Sequence, residues 1–421
     1  MMVAKGTKGE WASAEPADRS SPHVEIGQGI RPYGAQQGVG RHFLLLQGPS
    51  SPFMSHVGAA LRARGAAVSR IHLSPGDWLM WRGGGARFYR GSQADWPQFV
   101  ATFAHDHGIT DLICLSSARR YHKDAIAALS AMGVRITVIE HGYLRPGYLL
   151  AEPGGTGGDS RFPRTRREIE ALAGADAPLP SPLAASEAGS FALYATLDVA
   201  WNLANVFLAP VLTPGYRRHA LDHPFREYAG WLRKFATGKR RRRKADAVMQ
   251  AIADAPGAVF LFPLQLETDF QIRSYGTGWS LREELEQLVV SFAAHAPSDA
   301  ILVVKAHPLD NDAAPWSRRV ATMAWRQGVE HRVLFSDGGD LDQMLAQASG
   351  VVTINSTVGL TALLSGVPVL ALGEAVYNLP ELTCSGPVDG FWRSPTPPDR
   401  PYVEALRRAL LKTVHVAGAF D

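Results

Sequence analysis

Ile301-Leu302-Val303-Val304-Lys305-Ala306-His307-Pro308 is an apolar run that ends on a basic, polar tip. The pattern returns in Val351-Val352-Thr353-Ile354-Asn355-Ser356-Thr357, and Val358-Gly359-Leu360-Thr361-Ala362-Leu363-Leu364 follows it. Gly366-Val367-Pro368-Val369-Leu370-Ala371-Leu372-Gly373 closes the stretch. These segments read as strand, tip, helix, strand, tip, helix, strand. Short β-rich runs alternating with helical patterns predict a parallel sheet. Ligands of such sheets sit beyond the carboxyl ends of the strands. Lys305, His307, Ser356 and Thr357 fall at those ends. Ser356 or Thr357 also caps the next helix, whose N-terminus attracts phosphate. A lysine, a histidine and two hydroxyls around a helix N-terminus fit the phosphate of a nucleotide-sugar.

Working outward, 421 residues exceed one ordinary core and predict two domains. Hydrophobic residues at 46% and charged residues at 19% mark a globular chain. The two cysteines, Cys114 and Cys384, are far apart and have no second Cys or His at ligand spacing. That excludes a disulfide framework or a zinc site and suits a reducing cytoplasm. The formal net charge is +4, and much of the excess lies in Lys239-Arg240-Arg241-Arg242-Arg243-Lys244. Such a run is a solvated surface or loop, or a contact for anionic lipid or nucleic acid. The polar N-terminus carries no signal-peptide pattern. Phe191 to Leu212 is the most apolar long window. Asp198, Asn202, Asn205 and Pro210 interrupt it, so it reads as a buried or interfacial helix and not a span.

Residues 1–39 lack periodicity and read as a disordered tail. Residues 40–245 form a first Rossmann-like domain, assigned to the acceptor, with a helical, basic insertion. Its strands are His42–Gln47, Ala67–Ile71, Asp111–Leu115 and Val134–Ile139. The last ends at Glu140-His141-Gly142, and a mobile loop with a short helix near Arg166 to Leu172 is expected from Glu152 to Ser190. The loop after the first strand, Gly48-Pro49-Ser50-Ser51-Pro52, lacks dinucleotide-site spacing. Residues 246–400 form the nucleotide-sugar domain, starting at Ala258-Val259-Phe260-Leu261-Phe262-Pro263. Residues 401–421 are a C-terminal helix. The expected fold is α/β and GT-B-like: two Rossmann-type domains with a cleft between them. No internal repeat is visible.

Each candidate residue has a functional and a plain reading. His307-Pro308 holds an imidazole towards an anion, or is a surface histidine before a turn proline. Ser356-Thr357 donates to phosphate, or only caps a helix; the two are compatible. Glu140 is a general acid/base with His141 beside it, or a solvated loop carboxylate. Asp269, in a polar segment with Gln265, is a nucleophile towards an anomeric carbon or a helix cap. Arg119, Arg120 and Lys123 bind an anionic acceptor, or mark a solvated helix start.

Leu46-Gln47-Gly48-Pro49, Glu140-His141-Gly142-Tyr143-Leu144-Arg145-Pro146, Pro263-Leu264-Gln265 with Asp269, Lys305-Ala306-His307-Pro308, and Ile354-Asn355-Ser356-Thr357 with Gly366-Val367-Pro368-Val369 occur in this order. Together they resemble the capsule polysaccharide biosynthesis/export family, the bacterial β-Kdo transferases of the KpsS/KpsC type. Tyr216-Arg217-Arg218-His219 with Trp231-Leu232-Arg233-Lys234 resembles the KpsS branch. The resemblance covers about Arg41 to Leu382. It implies a retaining glycosyltransferase that moves β-Kdo from CMP-Kdo to a (lyso)phosphatidylglycerol-type lipid. It implies Asp269, Glu140 and His307 as catalytic residues. The donor falls to Lys305, His307, Pro308, Ser356, Thr357 and Gln265, and the acceptor to His141, Arg145 and Arg119. His141 departs from the related sialyltransferase pattern, which has an acidic residue there. No D-x-D ends a strand, so neither a metal nor another cofactor is expected. The implied partners are the nucleotide-sugar donor, a glycerophospholipid, the inner-membrane surface, a KpsC-like transferase and a capsule exporter, with no nucleic acid. The implied location is cytoplasmic, peripheral at the inner membrane. Two competing readings stand: a GT-B enzyme using a UDP-sugar or CDP-glycerol, and a non-enzymatic export or scaffold component.

Overall fold

The structure is a computed structural model describing residues 40–174, 178–184, 191–218, 224–266, 276, 278–310 and 314–420. The tail 1–39 and Asp269 lie outside the described residues.

Two sheets organise the chain. The first contains β1 (His42–Leu45), β2 (Ala67–His72), β3 (Ala86–Phe88), β4 (Asp111–Leu115), β5 (Arg135–His141) and β6 (Tyr148–Pro153). Between them run α1 (Phe53–Ala63), α2 (Pro75–Leu79), α3 (Trp96–Asp106) and α4 (Arg120–Ser130). Helices α5 (Arg166–Gly174), α6 (Phe191–Leu212), α7 (Pro224–Ala236) and α8 (Gly238–Ala253) lead to the second sheet. That sheet holds β7 (Val259–Pro263), β8 (Ile301–Lys305), β9 (Val333–Ser336), β10 (Gly350–Thr353) and β11 (Val369–Ala371). Its crossovers are α9 (Leu281–His295), α10 (Trp316–Arg326), α11 (Leu341–Gln347) and α12 (Thr357–Leu364). Then α13 (Val388–Phe391), α14 (Arg400–Thr413) and β12 (His415–Ala417) carry the chain back to the first sheet.

The first sheet runs β12-β6-β5-β4-β1-β2-β3 and the second β11-β10-β7-β8-β9. Strands β1 to β5 pair in parallel, as do β7 to β11; β6 and β12 are antiparallel additions. Both parallel sheets have the same doubly wound order, with a switch point between β1 and β4 in one and between β7 and β10 in the other. Strands β4 and β7 are buried along their whole length, which is why they read as unbroken apolar runs. This is the GT-B-like pair of Rossmann-type domains.

Several elements depart from the sequence reading. Strand β6 went unread, and its last two residues, Glu152 and Pro153, begin the stretch taken as a mobile loop; Glu152 is buried. Strand β9, with α11 after it, lies where one long helical crossover was read. The basic run Lys239–Lys244 is inside α8 and not in a loop. Residues 401–421 hold β12 beyond their helix.

Helix α6 is long and apolar enough to cross a membrane by length and composition, over Ala192–Leu212. Its polar residues tie it to the first domain instead. Asn205 Oδ1 accepts from the Gly76 backbone N–H at 2.7 Å, and Asp198 accepts from Ser50 Oγ at 2.8 Å. Trp201 covers Gly76, where a Cβ would meet the indole at 2.5 Å. Phe207 and Val211, each 66% exposed, face outward.

Glu284 on α9 is fully buried, and neither carboxyl oxygen has a hydrogen-bond partner among the described residues. Burial, with Glu283 beside it, pushes the carboxyl up to about 7. The folded chain therefore holds this proton to higher pH than the unfolded chain does. Stability is lost as pH rises from about 4.5 through about 7. Glu284→Gln removes that loss, which is on the order of 1–3 kcal/mol. Thermal unfolding should show the variant more stable than wild type at alkaline pH and level with it at acid pH. An equal gain at both would refute the account.

Candidate functional site

The carboxyl ends of the two sheets face a cavity of about 140 Å³. Glu140, His141, Tyr143 and Arg145 line it from the first domain. Gln265, His307, Asn355, Ser356 and Thr357 line it from the second, with Glu374 to Tyr377 closing one side.

On the second domain's side the cavity meets the start of α12. Ser356 is its N-cap: Oγ accepts from the Val358 N–H at 3.2 Å, while the Ser356 N–H donates to Thr353 Oγ1 at 3.3 Å. Buried Tyr377 donates its hydroxyl to the Ser356 carbonyl. A Cβ on Gly359 would lie 2.3 Å from that hydroxyl oxygen, so this contact requires glycine there. Gln265, at the end of β7, grips the end of β10. Its Nε2 donates to Asn355 Oδ1 at 2.8 Å, and its Oε1 accepts from the Asn355 N–H at 3.3 Å. These bonds hold the first turn of α12, with its outward N–H groups, against the cavity.

His307 follows β8 in a tight turn. Its Nδ1 accepts from the Leu309 N–H at 3.1 Å, which leaves the ring proton on Nε2. Burial, then Arg145, Lys234 and Lys305, push the imidazole down to about 4. At neutral pH it is an uncharged N–H donor. Lys305 and Pro308 do not line the cavity. Lys305 Nζ donates to the Gly338 and Gly339 carbonyls at 2.8 and 3.2 Å, and burial lowers its pKa. The carbonyls of Pro308 and Asp310 accept from Lys234 Nζ at 3.2 and 2.8 Å. Lys234 on α7 and Arg241 on α8 also pair with Asp337. The helical insertion thus fixes the His307 turn.

On the first domain's side, Glu140 Oε2 accepts from Thr156 Oγ1 at 2.7 Å. His141 is exposed, with the Phe420 ring edge-on to it at 4.7 Å. A Cβ on Gly142 would sit 2.6 Å from the Tyr148 carbonyl oxygen, so only glycine permits this turn. Arg145 Nε donates to the Gly142 carbonyl at 2.9 Å, and the Leu144 N–H donates to His415 Nε2 at 3.1 Å. The C-terminal segment therefore props the loop that carries these residues. Arg119 lies apart from the cavity, and it is no solvated helix start: its Nη1 donates to Gln47 Oε1 at 3.2 Å. Arg120 and Lys123 are the exposed ones, and Arg120 reaches Gln93.

Sequence reasoning passed over Thr156, Glu152 and Tyr377. Tyr377 comes to the cavity only through the fold, and Thr156 reaches it only through its bond to Glu140. Glu152 had a readable signal, since it ends the apolar run Tyr148–Ala151. Among the described residues, no group of three His, Cys, Asp or Glu side chains is disposed to hold a metal.

Comparison with known proteins adds the following. The profile of the family described as "Capsule polysaccharide biosynthesis protein" matches residues 110–420. The chain is 27% identical to the capsule polysaccharide export protein KpsS of Escherichia coli, over 90% of this chain and 97% of that one. It is 28% identical to the capsule polysaccharide modification protein LipB of Neisseria meningitidis serogroup B, over 90% and 91%. Among solved structures it is similar to the KpsC β-Kdo 2,7 transferase of Thermosulfurimonas dismutans, at 16% identity over 88% and 90% with a TM-score of 0.44. With most of its length under one family profile, the chain belongs to the capsule polysaccharide biosynthesis protein family.

Proposed function

We propose that the chain is a retaining glycosyltransferase that moves β-Kdo from CMP-Kdo to a (lyso)phosphatidylglycerol-type lipid in capsule biosynthesis. The observation that carries transferase chemistry is the opposition across one cavity. A capped helix N-terminus and a neutral His307 Nε2–H stand on one wall, and Glu140 stands on the other. The first wall suits a phosphate that gains charge as it leaves. Ser356, Thr357 and the α12 N–H groups hold the CMP phosphate, and His307 donates to its oxygen. Gln265 acts by holding Asn355, and Lys305 and Pro308 by shaping the His307 turn. Asp269 attacks the anomeric carbon, and the bond to the CMP phosphate breaks. The acceptor hydroxyl then attacks that carbon, displaces Asp269 and gives its proton to Glu140. Arg145 and His141 face the incoming anionic acceptor. The choice of Kdo and cytidine rests on the motif resemblance, and no metal or other cofactor enters the proposed reaction.

A lipid acceptor suits the outer surface. Phe207 and Val211 on α6 and Phe225, Leu232 and Phe235 on α7 are exposed, and the N-terminal half of α8, which packs on α7, is basic. Apolar side chains beside lysine and arginine fit an anionic leaflet. The chain then works at the cytoplasmic face of the inner membrane. There it hands its product to a KpsC-like transferase and a capsule exporter, and nucleic acid has no part.

Purified protein, CMP-Kdo and short-chain phosphatidylglycerol should give a product of acceptor-plus-Kdo mass, above a no-enzyme control. Asp269→Ala should abolish it, and His307→Ala should lower kcat by about 10²- to 10³-fold. Turnover only with a UDP- or CDP-linked donor would discard the Kdo assignment. Silence with every donor would favour the export component. The His307 ring should stay uncharged, as the Nε2–H tautomer, down to about pH 5 in ¹⁵N NMR. A charged ring at neutral pH would remove its proposed role. Vesicles containing phosphatidylglycerol should sediment the protein, and Leu232→Glu with Phe235→Glu should release it. Equal binding to neutral vesicles in high salt would refute the charged face.

A further inference from the structure

The cavity's Glu140 has a hidden neighbour. Strands β5 and β6 pair antiparallel with Val138 opposite Glu152 and Glu140 opposite Leu150. Glu140 and Glu152 therefore lie on one face of the sheet, a diagonal step apart. Glu140 opens into the cavity; Glu152 is 1% exposed. Glu152 Oε2 accepts from Ser160 Oγ, and Oε1 is buried without a hydrogen-bond partner. Tyr143, whose hydroxyl accepts from the Gly157 N–H at 2.9 Å, lines the cavity and lies near enough to the Glu152 carboxyl to act on it. Arg164 is the cation that acts on Glu152, but its Nη1 donates to the Ala375 carbonyl at 2.6 Å. A sealed carboxyl without a bonded cation does not ionise readily next to a second carboxylate.

We propose that Glu152 is a positioning residue for Glu140, the proton-holding member of a carboxyl pair whose other member faces the substrate. The proposal rests on Glu140 as the acid/base of the glycosyl transfer. Glu152 touches no substrate and exchanges no proton with it. Glu140 on β5, Tyr143 after β5, and Ser160 and Arg164 before α5 are the groups that act on Glu152. Burial above all, with Glu140 adding to it, pushes Glu152 up to about 7 against the opposing pull of Ser160, Tyr143 and Arg164. Below that pH Glu152 adds no charge beside Glu140. Above it, a charge under the cavity floor repels the Glu140 carboxyl and disturbs its seat.

Two measurements on the full chain test this. Infrared difference spectra of wild type against Glu152→Gln should show a protonated-carboxyl band in wild type that fades as pH rises through about 7. The amide keeps the volume of the acid and is permanently neutral. The ratio of kcat for Glu152→Gln to wild type should rise about fivefold or more from pH 6 to 8.5, with KM unchanged. Parallel pH profiles, or a wild type without the band, overturn the proposal. If no donor is turned over, the glycosyl-transfer reading fails, and the infrared titration alone still decides whether the pair exists.

Discussion

One apolar core holds the two domains together. Leu150, Phe162 and Ile169 from the first domain share it with Val259, Val351 and Leu360 from the second. Tyr402, Leu406 and Leu410 of α14 complete it. Burying each such side chain contributes on the order of 1.5–3 kcal/mol, so this contact is no loose hinge. Arg166 at the start of α5 adds ion pairs to Glu381 and Asp399. The cavity walls belong to different sheets, and their spacing follows from this core. Beyond α14, β12 pairs with the edge strand β6, and His415 receives the Leu144 N–H. The same segment that joins the domains supports the loop after Glu140.

The two walls are made by different physics. The second-domain wall presents hydrogen-bond donors without a full charge: an uncharged imidazole and a helix terminus held in place by Gln265 and Tyr377. Donors fixed in this way need no reorganisation when charge appears on a leaving oxygen. The first-domain wall presents a carboxylate over a second, buried carboxyl. The lysines around the His307 turn stand back from the cavity. Lys305 is turned to the Gly338 and Gly339 carbonyls, and Lys234 to Asp337 and the carbonyls of Pro308 and Asp310.

The sequence reading located strand tips well and side-chain directions poorly. Strands β7, β8 and β10 are buried on both faces, so their apolar runs are continuous and their ends plain. His307 and Ser356 were legible for that reason; Glu140 ends β5, whose core Ile136, Val138 and Ile139 are buried. Strand β9 is short and half-buried, and it was absorbed into a helical crossover. Lys305 was then misplaced because the carbonyls that hold it follow β9. Strand β6 is antiparallel, and its polar Glu152 and Pro153 made it look like a loop. Arg119 looked solvated because its partner, Gln47, follows a strand brought alongside only by the fold.

Gln47 also explains why the ligand cavity belongs to one switch point and not to the other. Both sheets wind alike, and each places a glutamine just after its first strand, Gln47 beyond β1 and Gln265 beyond β7. Each reaches the segment after the strand across the switch point, Arg119 in one domain and Asn355 in the other. Gln47 is enclosed by more: it also donates towards Ser74, Asp77 and the Tyr216 hydroxyl, over the buried Arg70–Asp77 pair. Such a network costs too much desolvation to be opened for a ligand, and breaking one member would strand a buried charge. Gln265 has a short amide partner and an open helix terminus beside it. Two halves with the same winding and no visible repeat in sequence therefore differ at their switch points, one closed as structure and the other left open to the cavity.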